Sequence, residues 1–353
     1  MHSKTILPLH GGKAPRWLFN RMVKLGGEIA TVVIDEYGSD EFLRRISDPM
    51  WFQAFSCAIG YDWHSSGTTT VTMGALKEAL NGSGEVYIAG GKGKQGLMTP
   101  EEITKGTDEL NIAGEAERFK ELSRLAAKVD SAMVYDRVGI YHHTFIFNRN
   151  GKWAVVQQAI DQETNYAIRF QWIDEQTDPE DITNEPHAGI LTPLHKKTLD
   201  LTARSNRWAK EHIGETIEEF ERGSIIFPAR HRIVPQIDMS RRAMEIIKNL
   251  NDMNIEEYKE LLLVKGVGRA TLRSLAFISS LIYDKELSYR DPVMYAYNLG
   301  GKDGIPFKID RSVYDSTIKG MQQIIDEARM DRFEKLNAFR RLEKLSRGSG
   351  DQL

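Results

Sequence analysis

The sequence predicts an α+β protein, with a mixed α/β region that contains a largely antiparallel sheet at residues 1–220 and an all-α region at 221–353. Three observations lead to this prediction. Runs of β-branched and aromatic residues are confined to the first half, helical periodicity dominates the second half, and an acidic segment with two prolines at 174–186 precedes the change. The composition, 41% hydrophobic and 27% charged, is that of a globular protein.

The first region combines strand and helix patterns. The strongest β pattern is a predicted hairpin of residues 138–147 and 153–158, because its turn is rich in Asn and Gly, and 166–172 forms a third predicted strand. Shorter β-branched runs predict strands at 29–34, 68–72 and 85–89, with helices at 75–80 and 114–130. The 29–34 strand would be buried and would end at Asp35.

The first region is predicted to end in an exposed connection and a helix, and the second region is predicted to be helical. Residues 174–186 are expected to form an exposed connection, and 199–220 a helix with Glu and Lys on its outer side. Prolines follow Phe227 and Val234 and interrupt the pattern. From Ser240, a candidate N-cap, the chain is predicted to be helical to residue 345 apart from one long loop. We therefore place the domain boundary near residue 220.

Charge is divided unevenly between the two regions. Residues 1–221 hold 24 Lys and Arg against 32 Asp and Glu, a net charge of −8, whereas 222–353 hold 23 against 18, a net charge of +5. A basic excess in the second region favours an anionic partner such as nucleic acid, bound through a local patch and in a salt-sensitive way.

A glycine turn divides two helical patterns in this basic region. Apolar residues recur at helical spacing before Gly266 and after Gly268, which predicts two helices joined by a tight bend. The backbone amides at the start of the second helix would favour a phosphate oxygen. The stretch resembles the helix-hairpin-helix motif of DNA repair proteins; an ordinary helical hairpin is the alternative. The resemblance implies DNA contacts by Lys265, Gly266, Val267, Gly268, Arg269, Thr271 and Arg273, and by Lys302 and Arg311 farther along.

A loop rich in Gly and Pro then leads to Asp310, which opens the next predicted helix. This arrangement resembles the DNA glycosylase superfamily that extends the hairpin motif. The resemblance implies that Asp310 is the catalytic carboxylate, which stabilises the cationic sugar formed as a base leaves. On its own, an Asp at this position would more often be a helix cap. Superfamily members that also cut the strand carry a lysine where this chain has Ala270, so the resemblance implies hydrolysis without metal or cofactor.

Two departures weaken this resemblance, and the first is Ala270, which argues against the usual lyase mechanism but leaves AP lyase activity through another lysine open. Lys265, Lys302 and Lys308 are the other amines nearby, but each is more simply a phosphate contact or a solvated side chain. The separation between Ala270 and Asp310 also exceeds the usual spacing. The additional segment 289–297 contains three tyrosines, which would suit stacking on an extruded base or packing in a core.

Polar clusters in the first region have no evident structural purpose. They form a candidate N-terminal site that consists of His10, Lys13, Arg16, Asp35, Asp62, His64, Ser65, Lys92 and Lys94. With residues 184–188, these blocks resemble, over nearly the whole chain, a mainly archaeal family with a domain of unknown function that combines such a region with the hairpin. The resemblance implies work on DNA, with the first region recognising a lesion, a strand junction or a repair-protein partner.

Two further functions remain open. A predicted strand that ends in Asp35 is typical of ribonuclease-H-like nucleases, in which Asp62 or Glu78 would complete a Mg²⁺ or Mn²⁺ site. A non-catalytic DNA-binding scaffold is the other alternative. His142 and His143 would lie on opposite faces of a strand and cannot both join one ligand set, so no histidine metal site with His64 and His187 is predicted.

Composition also constrains location. No apolar run is long enough to span a membrane and the first residues lack the apolar region of a signal peptide, so we expect a cytoplasmic protein without a membrane partner. The single cysteine, Cys57, excludes an intrachain disulfide and is expected in the core.

Overall fold

A computed structural model describes residues 7–8, 14–60, 66–134, 138–161, 166–178, 181–184, 188–191, 198–222, 241–253, 255, 257–283, 285–288, 311–328 and 332–347. The strands are β1 (Leu7–Pro8), β2 (Val86–Lys92), β3 (Val138–Asn148), β4 (Trp153–Asp161), β5 (Tyr166–Ile173) and β6 (Gly189–Leu191). The helices of the first region are α1 (Arg16–Tyr37), α2 (Ser39–Ser47), α3 (Pro49–Ala58), α4 (Ser66–Leu80), α5 (Lys94–Leu97), α6 (Thr99–Glu109) and α7 (Ala116–Lys128), which continues as a π-helix (Val129–Val134).

The later helices are α8 (Arg207–Glu211), α9 (Ile213–Glu221), α10 (Arg241–Leu250), α11 (Tyr258–Leu263), α12 (Arg269–Tyr283), α13 (Arg311–Glu327) and α14 (Arg332–Arg347). Short 3-10 turns lie at Ala113–Glu115, Asp174–Gln176, Arg204–Asn206 and Asn251–Met253. None of the helices described is long and apolar enough to cross a bilayer.

The sheet is antiparallel throughout the described strands, in the order β1-β5-β4-β3-β2, with β6 also paired to β5. The predicted hairpin of β3 and β4, the third strand β5 and the strand at 85–89 are confirmed. A bulge between Ile140 and His142 shifts the register of β3 against β4. Because bulges redirect side chains, the bulge changes which side chains of β3 face each side of the sheet.

Helices cover both faces of the sheet, so strands β2 to β5 are largely buried on both sides. Tyr87, Phe145 and Phe170 belong to a core shared with α6, α7 and the hairpin helices. Alternate residues such as Ile88 and Ile146 belong to a second core with α1 to α4, α13 and α14. The molecule is therefore mixed α/β, with the sheet as the middle layer. The α7-side and α4-side faces are named here after the helices that cover them.

The predicted strand at 29–34 is wrong, because these residues lie in the second half of α1. Over a longer window the buried positions follow a helical period: Met22, Leu25, Gly26, Ile29, Ala30, Val33 and Ile34. The β-branched run was too short to distinguish a strand from a buried helix.

The predicted strand at 68–72 is also wrong, since these threonines lie in α4. Their hydroxyls find partners across the layer: Thr69 donates to Gln158 Oε1 at 2.5 Å, and Thr72 to Ser56 Oγ at 3.0 Å. Tertiary contacts therefore override the β propensity of threonine. The predicted helices at 75–80 and 114–130 are present, as the end of α4 and as α7.

The described residues of 174–186, which are 174–178 and 181–184, are less exposed than predicted. Ile182 and Thr183 are buried, and the Lys210 ammonium donates to the Thr183 carbonyl at 2.9 Å and to Asn184 Oδ1 at 2.5 Å. The predicted helix at 199–220 begins only near residue 204, because Leu199 and Leu201 instead insert into the core. The boundary near residue 220 stays a prediction, since 223–240 lie outside the described residues.

Candidate nucleic-acid interface

The glycine turn joins α11 and α12, as the helical spacing predicts. Glu257 and Glu260 form a reciprocal capping box at the start of α11, which fixes where that helix begins. Tyr258, Leu261 and Leu262 are buried on the α7-side core. Apolar packing of α11 against this core therefore fixes the helix that leads into the turn.

The two glycines of the turn have different reasons to be glycine. Gly266 has φ +98°, a conformation that side chains with a Cβ rarely adopt. Gly268 has no positive φ, and a Cβ added there would meet no atom within 4 Å. The local fold therefore requires glycine at 266 only, and glycine at 268 leaves room for close approach of another molecule.

Val267 anchors the turn to the rest of the molecule. Its side chain is 1% exposed in the α7-side core, and its carbonyl accepts a hydrogen bond of 2.6 Å from the Lys128 ammonium. Burial lowers the pKa of Lys128. Arg269 donates to the Val138 carbonyl of β3 at 3.4 Å. These contacts place the C-terminal end of α7 beside the turn.

Basic side chains continue from the turn along α7. Lys120, Arg124 and Lys128 are spaced by four residues and share one face of that helix. Arg124 is exposed, and in the described part of the chain no carboxylate forms an ion pair with it. Lys120 contacts Glu117 at 2.7 Å, and the Glu117 side chain is 87% exposed, so the pair adds little stability. With the exposed Lys265 and Arg269, this basic ridge is defined as Lys120, Arg124, Lys128, Lys265 and Arg269.

A cavity of about 400 Å³ opens beside the ridge. One wall is α7, through Lys120, Ser123 and Arg124; another is β3, through Tyr141 and His143; Gly93 and Leu97 close a third side. Leu97 is 78% exposed. The cavity therefore combines cations, hydroxyl and imidazole groups with the apolar side chains of Leu97, Pro100, Ala127 and Ile140.

Hydrogen bonds link the cavity wall to a buried carboxylate. Ser123 Oγ lies 2.8 Å from His143 Nε2, and His143 Nδ1 lies 2.7 Å from Gln157 Oε1. Gln157 Nε2 donates to the Ala126 carbonyl at 3.0 Å and to Asp130 Oδ2. Asp130 also accepts from the Trp172 indole at 2.9 Å. Burial lowers the pKa of His143, although Gln157 and Asp130 oppose this shift.

The glycine–lysine loop borders the same cavity but presents few backbone donors. Gly90 N–H donates to Glu102 Oε2 at 2.6 Å, Gly93 N–H to the Tyr141 carbonyl at 2.7 Å, and Gly96 N–H to the Gly93 carbonyl at 3.1 Å. An anion at this loop would therefore be bound by side chains. Lys92 and Lys94 are both exposed and available for that purpose.

The other predicted hairpin contacts differ in exposure. Thr271 is 2% exposed, and the Arg273 guanidinium lies 5.6 Å from the ring centroid of Phe277. These two side chains face the protein, whereas Lys265, Gly266 and Arg269 face solvent. Cys57 is buried, as expected.

Several predicted residues lie outside the described part of the chain. These are Asp310, Lys302, Lys308, His10, Lys13, Asp62, His64, Ser65 and His187. Arg311 begins α13, but its side chain is likewise outside the description. Arg16 is exposed at the first turn of α1.

The strand on which the nuclease alternative depended is a helix. Asp35 is exposed near the end of α1, and Glu78 is exposed on α4. Within the described ranges, no three His, Cys, Asp or Glu side chains converge as a metal site would require. The prediction that the fold begins with the strand of a ribonuclease-H-like nuclease is therefore wrong.

The basic face of α7 and the Ser123–His143 contact were missed by sequence reasoning. The spacing of Lys120, Arg124 and Lys128 was visible in the sequence and indicates a basic helix face. The Ser123–His143 contact joins residues 20 apart through tertiary packing, so no local pattern predicts it.

The site thus belongs to a mixed α/β protein whose basic ridge joins a helical hairpin to a cavity. The chain belongs to the family described as protein of unknown function DUF763, whose model matches residues 3–309. No curated protein and no solved structure matches this chain.

Proposed function

We propose that this protein binds DNA through the basic ridge, and that its reaction is removal of a damaged base by cleavage of the glycosidic bond. The observation that carries the DNA-binding proposal is the junction at Val267. There the hairpin turn and the basic face of α7 are joined by the Lys128 hydrogen bond. Cations on two separate elements then form one surface, which suits a polyanion that extends over several phosphates.

The geometry of the turn supports contact with a phosphate backbone. Open space at Gly268 allows a ligand to approach the start of α12, where backbone amides and the helix dipole favour an anion. Lys265 and Arg269 flank that position and are exposed. These groups would set position on the duplex and would not read its sequence.

The reaction is proposed from Asp310 and its resemblance to the glycosylase superfamily. An extruded nucleotide needs a pocket, and the cavity beside the ridge is of suitable size for one base, whereas Asp310 itself lies outside the described residues. Ala270 excludes the usual Schiff-base lysine from its position, so water would be the nucleophile at the sugar. A DNA-binding scaffold without this reaction is the alternative, and recruitment of a repair protein would then be the role of the first region.

Fluorescence anisotropy with labelled duplex DNA tests the binding proposal. Arg124→Ala should weaken the affinity for DNA roughly tenfold at low salt. It should also reduce, by about one, the steepness with which the logarithm of the association constant falls against the logarithm of the salt concentration. Arg118→Ala is the matched control on α7, because Arg118 is exposed but paired with Glu115 at 2.6 Å. Equal losses in the two variants would contradict a ridge at Arg124.

Gly268→Ala tests the turn directly. We expect weaker DNA binding with an unchanged melting temperature, because the folded protein has space for the added methyl group. Unchanged affinity in Gly268→Ala would remove the turn from the interface.

End-labelled DNA that contains single damaged bases tests the reaction. Base loss that persists in EDTA and disappears in Asp310→Asn supports the glycosylase. Strand cutting that requires Mg²⁺ or Mn²⁺ and persists in Asp310→Asn would instead support a metal-dependent nuclease. Tight binding without a product would support the scaffold.

A further inference from the structure

Hydrogen-bond directions around Gln157 determine the proton position on His143. The amide nitrogen of Gln157 faces two acceptors, the Ala126 carbonyl and the Asp130 carboxylate. Its oxygen must therefore face His143 Nδ1, and a carbonyl oxygen only accepts. In the neutral ring, Nδ1 then carries the hydrogen and Nε2 has a free lone pair.

Ser123 is the donor to that lone pair. With Nε2 unprotonated, the 2.8 Å contact has the Ser123 hydroxyl donating its hydrogen to His143. A hydroxyl bonded to a base, which is held in turn by a third group, is the arrangement that activates a serine nucleophile. Both residues line the cavity, so the pair faces a space that a substrate can enter.

The groups that hold this arrangement are buried. Gln157 and Asp130 are fully buried, and Asp130 lies in the π-helix that follows α7. Such irregular helical turns often occur at functional sites. The carboxylate fixes the Gln157 amide, and Gln157 fixes the imidazole, so these two are positioning residues. A merely apolar packing site would not need this sequence of polar partners.

The charges beside Ser123 indicate the substrate class. Lys120 lies one turn before Ser123 on α7, and both Lys120 and Arg124 line the same cavity as Ser123. Cations that line the same cavity as the hydroxyl suit the negative charge of a phosphoryl group. The basic ridge leads from the hairpin to this position.

We propose that Ser123 is a nucleophile and His143 its general base, and that their substrate is a phosphodiester of DNA bound along the ridge. The Ser123 proton passes to His143 Nε2 as Oγ bonds to phosphorus. The bond from phosphorus to the leaving sugar oxygen breaks, and that oxygen takes the proton from Nε2. Water then attacks the phosphoserine, His143 accepts a proton from the water, and the proton returns to the departing Ser123 oxygen. The net reaction consumes one water and yields a phosphate monoester and an alcohol.

The identity of the substrate rests on the proposed DNA-binding function, but the reactivity of Ser123 does not. An alkyl fluorophosphonate probe, which phosphonylates activated serines and releases fluoride, tests the nucleophile without DNA. The full-length protein is incubated with the probe and its adducts are mapped by peptide mass spectrometry. We expect one adduct, on Ser123, with labelling of the intact protein at least tenfold lower in Ser123→Ala and His143→Gln.

Ser131→Ala is the matched control, because Ser131 lies in the π-helix and its hydroxyl donates to the Lys128 carbonyl, at 3.5 Å, and not to a histidine of the described residues. It should retain the label. Mapping of the unmodified chain needs no variant, so it remains decisive if Ser123→Ala fails to fold. An unlabelled Ser123 in the folded protein would overturn the proposal.

A DNA arm separates the two proposals. End-labelled duplex with EDTA should yield strand breaks and, after rapid SDS quenching, a covalent protein–DNA species that Ser123→Ala lacks. DNA binding with an unlabelled Ser123 would overturn the nucleophile and leave the ridge. A labelled Ser123 without DNA binding would overturn the ridge and the DNA substrate.

Discussion

Two consecutive cross-strand pairs of histidine and glutamine lie on opposite faces of the sheet. In only one of these two pairs does the histidine form a hydrogen bond with the glutamine. His143 pairs across the strands with Gln157 on the α7-side face, and His142 with Gln158 on the α4-side face. His143 has partners on both ring nitrogens. In the described part of the chain, His142 is 1% exposed and neither of its nitrogens has a partner.

The difference arises from what each helical layer supplies. On the α7-side face, Ser123 and Asp130 complete a hydrogen-bonded path through His143 and Gln157. On the α4-side face, Gln158 bonds instead to Thr69, Tyr141 and the Ser66 carbonyl. The histidine of such a pair is therefore a candidate base on the α7-side face and a desolvated ring on the α4-side face. The pair alone does not determine the role.

The largest expected effect is acid destabilisation through His142. Burial, His143, Lys92 and Lys77 lower the pKa of His142 from 6.5 to about 3. As the pH falls, His142 therefore takes up a proton in the unfolded chain at a higher pH than in the folded protein. Stability is fully present above pH 6.5 and falls towards pH 3, by roughly 1.4 kcal/mol per pH unit from this group.

His142→Leu should reduce that slope of unfolding free energy against pH. Urea denaturation between pH 7 and 5 measures it. His143 contributes a slope of the same sign, because its pKa is also lowered. A pH dependence identical to that of the unmodified protein would show that His142 is not desolvated as described.

Asp130→Ala should destabilise the protein by about 3 kcal/mol, because it removes the buried acceptor of the Trp172 indole and one of the two acceptors of the Gln157 amide. Chemical denaturation measures the loss. Asp130→Asn, which keeps one acceptor oxygen, is the control and should cost less. Equal stability of Asp130→Ala and the unmodified chain would contradict a hydrogen-bonded path on the α7-side face.

Thr69→Val should have the smallest effect, about 1 kcal/mol, since it removes one hydroxyl that donates to Gln158. We expect no change in the reactivity of Ser123, which lies across the sheet. Calorimetry measures stability, and fluorophosphonate labelling measures reactivity. Loss of labelling in Thr69→Val would show that the two faces are coupled.

Local patterns predicted the parts of the fold that depend on short-range geometry. The β3–β4 turn was predicted from Asn and Gly, and the bend at Gly266 from the interruption of two helical periods. Local patterns were wrong where a short apolar run fits either state. Ile29 to Ile34 pack as a helix because Met22 and Leu25 extend the same buried face.

The site was predicted only in part. Lys265, Gly266 and Arg269 are exposed at the glycine turn, whereas Thr271 and Arg273 face the protein, and contact of any of them with DNA stays a prediction. The three basic positions on α7 could have been predicted from their spacing in the sequence alone. The neighbourhood of Ser123 and His143 required knowledge of which helix covers which face, and that depends on contacts between distant segments.

The sequence by itself determined that His142 and His143 face opposite sides, because the strand period is two, and that Gly266 lies in a tight turn between helices. Only the tertiary structure decided that α7 crosses the sheet above His143. That packing brings Ser123, Asp130 and the basic ridge together at one cavity. Hydrogen bonds and charges act over a few ångströms, so their partners are set by the packing of elements and not by proximity in sequence.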